Sequence, residues 1–248
     1  MKDNFSAQAK GYAQYRPTYP EEMIKSIASL PAMRIRALDV ATGNGQVAVA
    51  LAKYFDKVYA IDISEKQLQQ APQVSNVSYS VQPAELTNFP DRHFDLITVA
   101  QAIHWFDFGA FYKEAHRLLK TRGVLAVMGY GNIKTNPHSD AVIQRLYKEI
   151  VGPYWDAERR YVDENYETIP FEMMEEEAPG GFENRFTWSF EQLTGYLNTW
   201  SAVQHYIKAN GTNPVDLIKD ELKKSWAQND GNVVFPLFLR VGRVYRYD

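Results

Sequence analysis

The sequence predicts an α/β protein built on a doubly wound sheet, and three observations carry that expectation. Between residues 35 and 131, short apolar runs alternate with segments of helical period. The runs show little polar alternation, as strands covered on both faces require. The first run ends in an acid and passes through a glycine-bearing turn straight into a helix.

In chain order, residues 1–33 read as N-terminal cap helices, with Pro20 suited to a first helical turn. Residues 34–131 read as the core, with strands expected at 35–41, 58–62, 77–81, 94–102 and 123–131. Val47, Leu51 and Tyr54 recur at helical spacing after the first strand, and Ser64 with Gln67 spells a capping box for the next helix. Phe111, Ala115 and Leu118 share one helical face, and Gly123 is the expected left-handed residue beyond that helix. Residues 132–181 lose the alternation, gather prolines and aromatics, and read as a helical lid laid over the sheet. The acidic run at 172–181 within them reads as a solvated loop. In residues 182–248 the sheet resumes: Ser189 and Gln192 cap a helix carrying Leu193, Leu197 and Trp200, and 233–246 supply a last strand pair or hairpin. The 248 residues are expected to form one domain around one core.

A formal charge of -3, from 27 basic and 30 acidic side chains, offers no long-range attraction to nucleic acid or an anionic membrane. No cysteine is present, which excludes disulfides, thiol nucleophiles and thiolate metal sites. The start has no signal-like apolar run and no stretch is long enough to span a bilayer, so a cytoplasmic protein is expected. The five histidines are scattered, without metal-ligand spacing.

The strongest chemical signal is LDVATGNGQVAVAL, residues 38–51. Here a strand ends in Asp39 and runs through Ala41, Gly43 and Gly45 into a helix, so that a ligand can approach bare backbone. Asp62 follows at the end of the next strand, where a carboxylate can accept from both hydroxyls of a ribose. A nucleoside is the implied ligand. Gly43, Gly45 and Ala48 also satisfy a dinucleotide fingerprint. Asp39 weighs against it, because a carboxylate there would repel a pyrophosphate but suit the ammonium of an amino acid.

These residues resemble the first motif, D/E-x-G-x-G-x-G, of the class I S-adenosylmethionine-dependent methyltransferases, with Ala41 in place of a glycine. FPDRHFDLITVAQAIHWF (89–106) and RLLKTRGVLAV (117–127) resemble that family's fourth strand and its approach to the fifth. The resemblance implies a Rossmann-like mixed sheet of about seven strands, the last antiparallel, and S-adenosylmethionine as cofactor. It also implies that Asp62 holds the ribose, that Ile63 packs on the adenine, and that Ala84 and Glu85 meet the adenine edge. YRPTYP (15–20), AQAIHWFD (100–107) and LNTWSAVQHY (197–206) further resemble a subfamily that includes fungal-type trans-aconitate methyltransferases, which implies small acceptors, carboxylates among them.

Tyr12, Tyr15, Arg16 and Tyr19 could close over such a site, tyrosine faces toward the sulfonium and Arg16 toward a carboxylate. His104 and Trp105 follow the fourth strand, at the sheet edge where ligands bind; with Gln101, a candidate cofactor-site residue, His104 would face the transferred methyl as the orienting group or base. Methyl transfer from a sulfonium needs alignment more than covalent help, and an ionised acceptor needs no base. A cofactor-binding domain without turnover and a nicotinamide oxidoreductase are the competing readings; the sequence leaves the oligomeric state open.

Overall fold

The computed structural model describes residues 15, 17–228 and 230–246. Helix α1 (Glu21–Ser29) leads into β1 (Arg36–Val40), α2 (Gln46–Leu51), β2 (Lys57–Asp62), the short α3 (Glu65–Leu68) and β3 (Val77–Val81). Then come β4 (Phe94–Ala100), a 3-10 turn (Ile103–Trp105), α4 (Phe108–Leu118) and β5 (Leu119–Tyr130). The five parallel strands fall where the apolar runs place them.

Beyond β5, α5 (Pro137–Arg145) continues as one π turn (Leu146–Ile150), followed by α6 (Arg159–Asp163) and the short strands β6 (Met174–Glu176) and β7 (Glu183–Thr187). Helices α7 (Phe190–Asn198), α8 (Ser201–Asn210) and α9 (Lys219–Trp226) precede β8 (Asn232–Arg243). The sheet order is β3-β2-β1-β4-β5-β8-β6, with β7 paired to the other end of β8. Strands β1 to β5 pair in parallel, and β8 runs antiparallel to β5, β6 and β7. The strand order reverses between β1 and β4, since β2 and β3 are added on one side of β1 and β4 and β5 on the other, which opens a crevice at their carboxyl ends.

Both sheet faces are covered. Val124, Ala126 and Met128 face a core with Met23, Ile27 and Leu51 of α1 and α2, while the intervening Leu125 and Val127 join Phe111, Ala115 and Leu118 of α4 on the other side. A third, aromatic core gathers Tyr147, Trp200 and Trp226 with Phe235 of β8, so residues from both sides of position 182 share it.

Four local expectations change. The expected last hairpin is one strand of 12 residues, because its two halves find different partners, β7 and then β6, on the same side. The acidic run is partly strand: Glu175 and Glu176 of β6 pair with Arg240 and Arg243 of β8. The left-handed residue after α4 is Arg122, at φ 64°, not Gly123. What Gly123 supplies is room, since a Cβ there would lie 2.9 Å from the Lys120 carbonyl oxygen. Finally, only half of the Ser64–Gln67 box forms. The Ser64 hydroxyl accepts from the Gln67 amide, but the Ser64 amide donates to Asp62. The Ser189–Gln192 box is complete.

Candidate active site

At the carboxyl edge of β1 the chain turns through Ala41, Gly43 and Gly45, all with positive φ (54°, 56° and 82°). Asp62, at the end of β2, fixes this turn: the Gly43 amide donates to its Oδ2 and the Ser64 amide to its Oδ1, each at 2.8 Å. One carboxylate thus ties together the loops after β1 and β2. It is only 8% exposed.

The two glycines do different work. A Cβ on Gly45 would sit 2.7 Å from the Tyr79 hydroxyl and 3.1 Å from the Ala71 methyl, so this glycine permits packing. Among the described residues a Cβ on Gly43 would meet nothing within 4 Å, so the backbone there carries no side chain against it, beside Asp62. A turn without side chains beside a carboxylate is the kind of place where a nucleoside can lie.

Asp39 lies beneath the turn, only 1% exposed. Its Oδ2 accepts from the Thr42 hydroxyl at 2.5 Å and its Oδ1 from the Thr98 hydroxyl at 2.7 Å. Burial pushes its carboxyl up to about 6 despite these bonds, and the nearby charge of Asp62 adds in the same sense. The side chain braces the turn from below. Thr98 is its register partner across β1 and β4.

The second loop follows β4. Gln101, at φ 55°, donates from its amide to the Tyr130 carbonyl (3.0 Å) and accepts from the Tyr130 amide (3.1 Å), closing the ends of β4 and β5 like an extra strand residue. His104 is 7% exposed; its ring lies 4.9 Å from Trp105, and its Nδ1 is 2.8 Å from the Tyr166 hydroxyl. Ala84 is buried in the core, Ile63 is half-buried, and Glu85 accepts from the Asp107 amide at 3.3 Å, linking the loops after β3 and β4. Tyr19 places its ring 6.2 Å from that of Tyr130, and Tyr15 packs on Gly195 of α7. Tyr12 and Arg16 lie outside the described residues.

Thr42, Thr98 and Tyr166 escaped the sequence reading. Aligning ALDV of β1 with LITV of β4 would have set Thr98 opposite Asp39; nothing in the local pattern marks Tyr166. Helix α6 ends three residues before Tyr166 and lies between the segments that follow β4 and β5. Tyr161 meets Phe108 (5.6 Å) on one side, while Arg159 donates to Asn132 beyond β5 (2.6 Å) and to the Tyr147 hydroxyl (2.8 Å) on the other. Among the described residues no acidic or histidine group could hold a metal ion, and no helix is long and apolar enough to cross a membrane.

Comparison with known proteins gives this edge a context. The methyltransferase domain family matches residues 38–127. A protein of Dictyostelium discoideum assigned as a methyltransferase is 35% identical over 254 residues, spanning 96% of this chain and 93% of that one. A structure from Anaeromyxobacter dehalogenans, assigned as a type II methyltransferase, is also 35% identical, covers 94% of this chain and 100% of its own, and superposes with a TM-score of 0.85. A phosphoethanolamine N-methyltransferase of Haemonchus contortus in complex with S-adenosyl-L-methionine shares the fold at 15% identity and a TM-score of 0.50, over 97% of this chain and 57% of its own.

Proposed function

Since this chain belongs to the class I S-adenosylmethionine-dependent methyltransferases, with S-adenosylmethionine as its cofactor, we propose that it methylates a small-molecule acceptor, preferably a carboxylate, between the turn after β1 and the loop after β4. The observation that carries this reading is Gly43, whose amide is pinned by Asp62 while no described residue stands within 4 Å of where its Cβ would be. Asp62 would take the ribose hydroxyls, and Ile63, Ala84 and Glu85 would border the adenine. The backbone from Ala41 to Gly45 would line the rest, with Asp39 holding its shape from below.

When bound, S-adenosylmethionine supplies the electrophilic methyl of a sulfonium. The chain's own task is then to align the acceptor and exclude water, which is worth on the order of 7 to 11 kcal/mol of barrier when geometry is ideal. Gln101 fixes the edge of β4 against β5, His104 beside Trp105 orients the acceptor, and Tyr15 and Tyr19 cover the site from the N-terminal side. Residues 132–181, with α6 beside the loop after β4, serve as the lid. The slightly acidic surface offers no pull on polyanions, which favours a small metabolite in the cytoplasm over nucleic acid or membrane lipid.

Calorimetry with S-adenosylhomocysteine tests the cofactor half. Asp62→Ala should cost about 1.5 to 3 kcal/mol of binding, the worth of hydrogen bonds to a charged group. Unchanged affinity would place the ribose elsewhere. A screen of metabolite extracts for transfer of a labelled methyl group tests the acceptor half; label arriving in RNA or protein fractions instead would overturn it.

A further inference from the structure

We infer that Glu114 and Arg117 of α4 are positioning residues for the cofactor's base: they clamp the loop after β3 and so give the site its preference for adenine. The inference rests on the reading of Ala84 and Glu85, which that loop carries, as the border of the adenine.

The loop needs support from outside. Residues 82–93 form neither helix nor strand and include Pro83 and Pro90, so their backbone polar groups must find partners beyond regular structure.

Helix α4 supplies that support. Glu114, only 5% exposed, accepts at Oε1 from both the amide (2.8 Å) and the hydroxyl (2.7 Å) of Thr87. Arg117, one turn further along, grips the same carboxylate through Nε to Oε2 at 2.8 Å and Nη2 to Oε1 at 2.7 Å. Its remaining donors go to the loop itself: Nη1 to the Phe89 carbonyl (2.8 Å) and to Asp91 Oδ1 (2.7 Å), and Nη2 to the Thr87 carbonyl (3.3 Å). Each nitrogen of the guanidinium is thereby engaged. Burial works to raise the Glu114 carboxyl, but the bonds from Arg117 and Thr87 outweigh it and hold the group below its ordinary value, so the clamp stays charged.

The other end of the loop is tied to the strand that carries Asp62. The Gln82 amide donates to the Asp62 carbonyl at 3.1 Å, while the Gln82 side chain accepts from the Asn88 amide and donates to the Ser80 hydroxyl, each at 2.8 Å. Ala84 and Glu85 therefore lie between two anchors, Gln82 before them and Thr87 after them. A span this short has little freedom, so its groups stand at set positions relative to Asp62. One base is told from another by the donors and acceptors along its edge, and that discrimination needs the groups that meet the edge to be held in place.

The test compares the calorimetric binding of S-adenosylhomocysteine and S-inosylhomocysteine to the full chain. The two differ only in the base, whose edge exchanges an amine for an oxygen and a bare ring nitrogen for a ring N–H, so that donor and acceptor trade places. The wild type should bind the adenosyl compound about tenfold more tightly or better. In Glu114→Ala that ratio should fall by about threefold or more, as the loop loses its anchor. Thr87→Val, which removes the hydroxyl and leaves Glu114 paired with Arg117, should lower it by less, and Thr87→Ser, which keeps a hydroxyl, should hold the wild-type ratio. If Glu114→Ala does not fold, the Thr87 pair decides. A clamp that served stability alone would lower the thermal midpoint and weaken both compounds together, leaving the ratio where it was. A ratio unchanged in Glu114→Ala and Thr87→Val would overturn the inference while the loop kept its place at the base. A wild type that binds the two compounds equally would remove the loop from the base, and the reading of Ala84 and Glu85 would fall with the clamp.

Discussion

The turn after β1 and the loop after β4 stand side by side at one edge of the sheet, but they are held by different means. The first is built from nearby sequence and from backbone. Asp62 clasps the amides of Gly43 and Ser64, and Asp39 clasps the Thr42 hydroxyl. The second is built from distant side chains. His104 meets Tyr166, Gln101 brackets Tyr130, and Arg240 fixes the carbonyl of Tyr166. A backbone-built turn asks little of most side chains and suits a ligand common to many proteins; a loop held by long-range contacts can be re-specified when its supports change.

The largest expected effects separate the two glycines of the first turn. Gly45→Ala forces an alanine into φ 82° and its methyl against Tyr79 and Ala71. It should cost about 2–4 kcal/mol of stability, from left-handed strain and overpacking together. Gly43→Ala meets none of the described residues, so it should cost only about 1–2 kcal/mol of stability. Its methyl would stand where the ligand belongs, however, and S-adenosylhomocysteine affinity should fall at least tenfold. Denaturant melts and calorimetry on both variants measure the contrast. Equal losses of stability, with affinity intact in Gly43→Ala, would show that the open side of this turn is not the cofactor's.

This difference between the regions also explains what could be read in advance. The five parallel strands, the turn and Asp62 were legible because each is coded within a few residues, by apolar runs and by glycines that only a special backbone needs. The single long β8 was not, since its continuity depends on β6 and β7 lying end to end beside it. Nor was Arg122, because the glycine next to it drew the left-handed assignment while its own need was steric. Tyr166 was invisible for the same reason as β8: its role exists only once a partner 62 residues away is folded against it.

A smaller effect comes from Asp39, whose burial sets its carboxyl at about 6 against 3.8 in the unfolded chain. Between those values the folded protein binds more protons than the unfolded one, so this group makes stability fall as pH rises from about 4 to 6 and level off above. The size is at most about 3 kcal/mol. Asp39→Asn removes the buried charge, and the Thr42 and Thr98 hydroxyls can rotate to suit an amide. The variant should therefore gain stability over the wild type on going from pH 4 to pH 7, while binding S-adenosylhomocysteine more weakly for want of a negative charge near its ammonium. Melts at both pH values check the sign; a wild-type–variant difference that does not change with pH would mean that Asp39 titrates alike folded and unfolded.

The smallest effect tests whether the first turn is shaped by its backbone alone. Ala41 sits at φ 54°, a conformation that costs an L-residue roughly 1–2 kcal/mol and glycine almost nothing. Replacing it by glycine also loosens the unfolded chain, at a cost of about 0.5–1 kcal/mol. The strain relieved exceeds the entropy lost, so Ala41→Gly should be neutral or stabilising by up to about 1 kcal/mol. Ala50→Gly, within helix α2, should lose about 1 kcal/mol, because no strain is there to relieve. Measured side by side, the two substitutions should move the thermal midpoint in different directions or by clearly different amounts. Equal losses would mean that the turn holds Ala41 without strain, and that its left-handed geometry is imposed by the Asp62 clasp and not paid for in the local backbone.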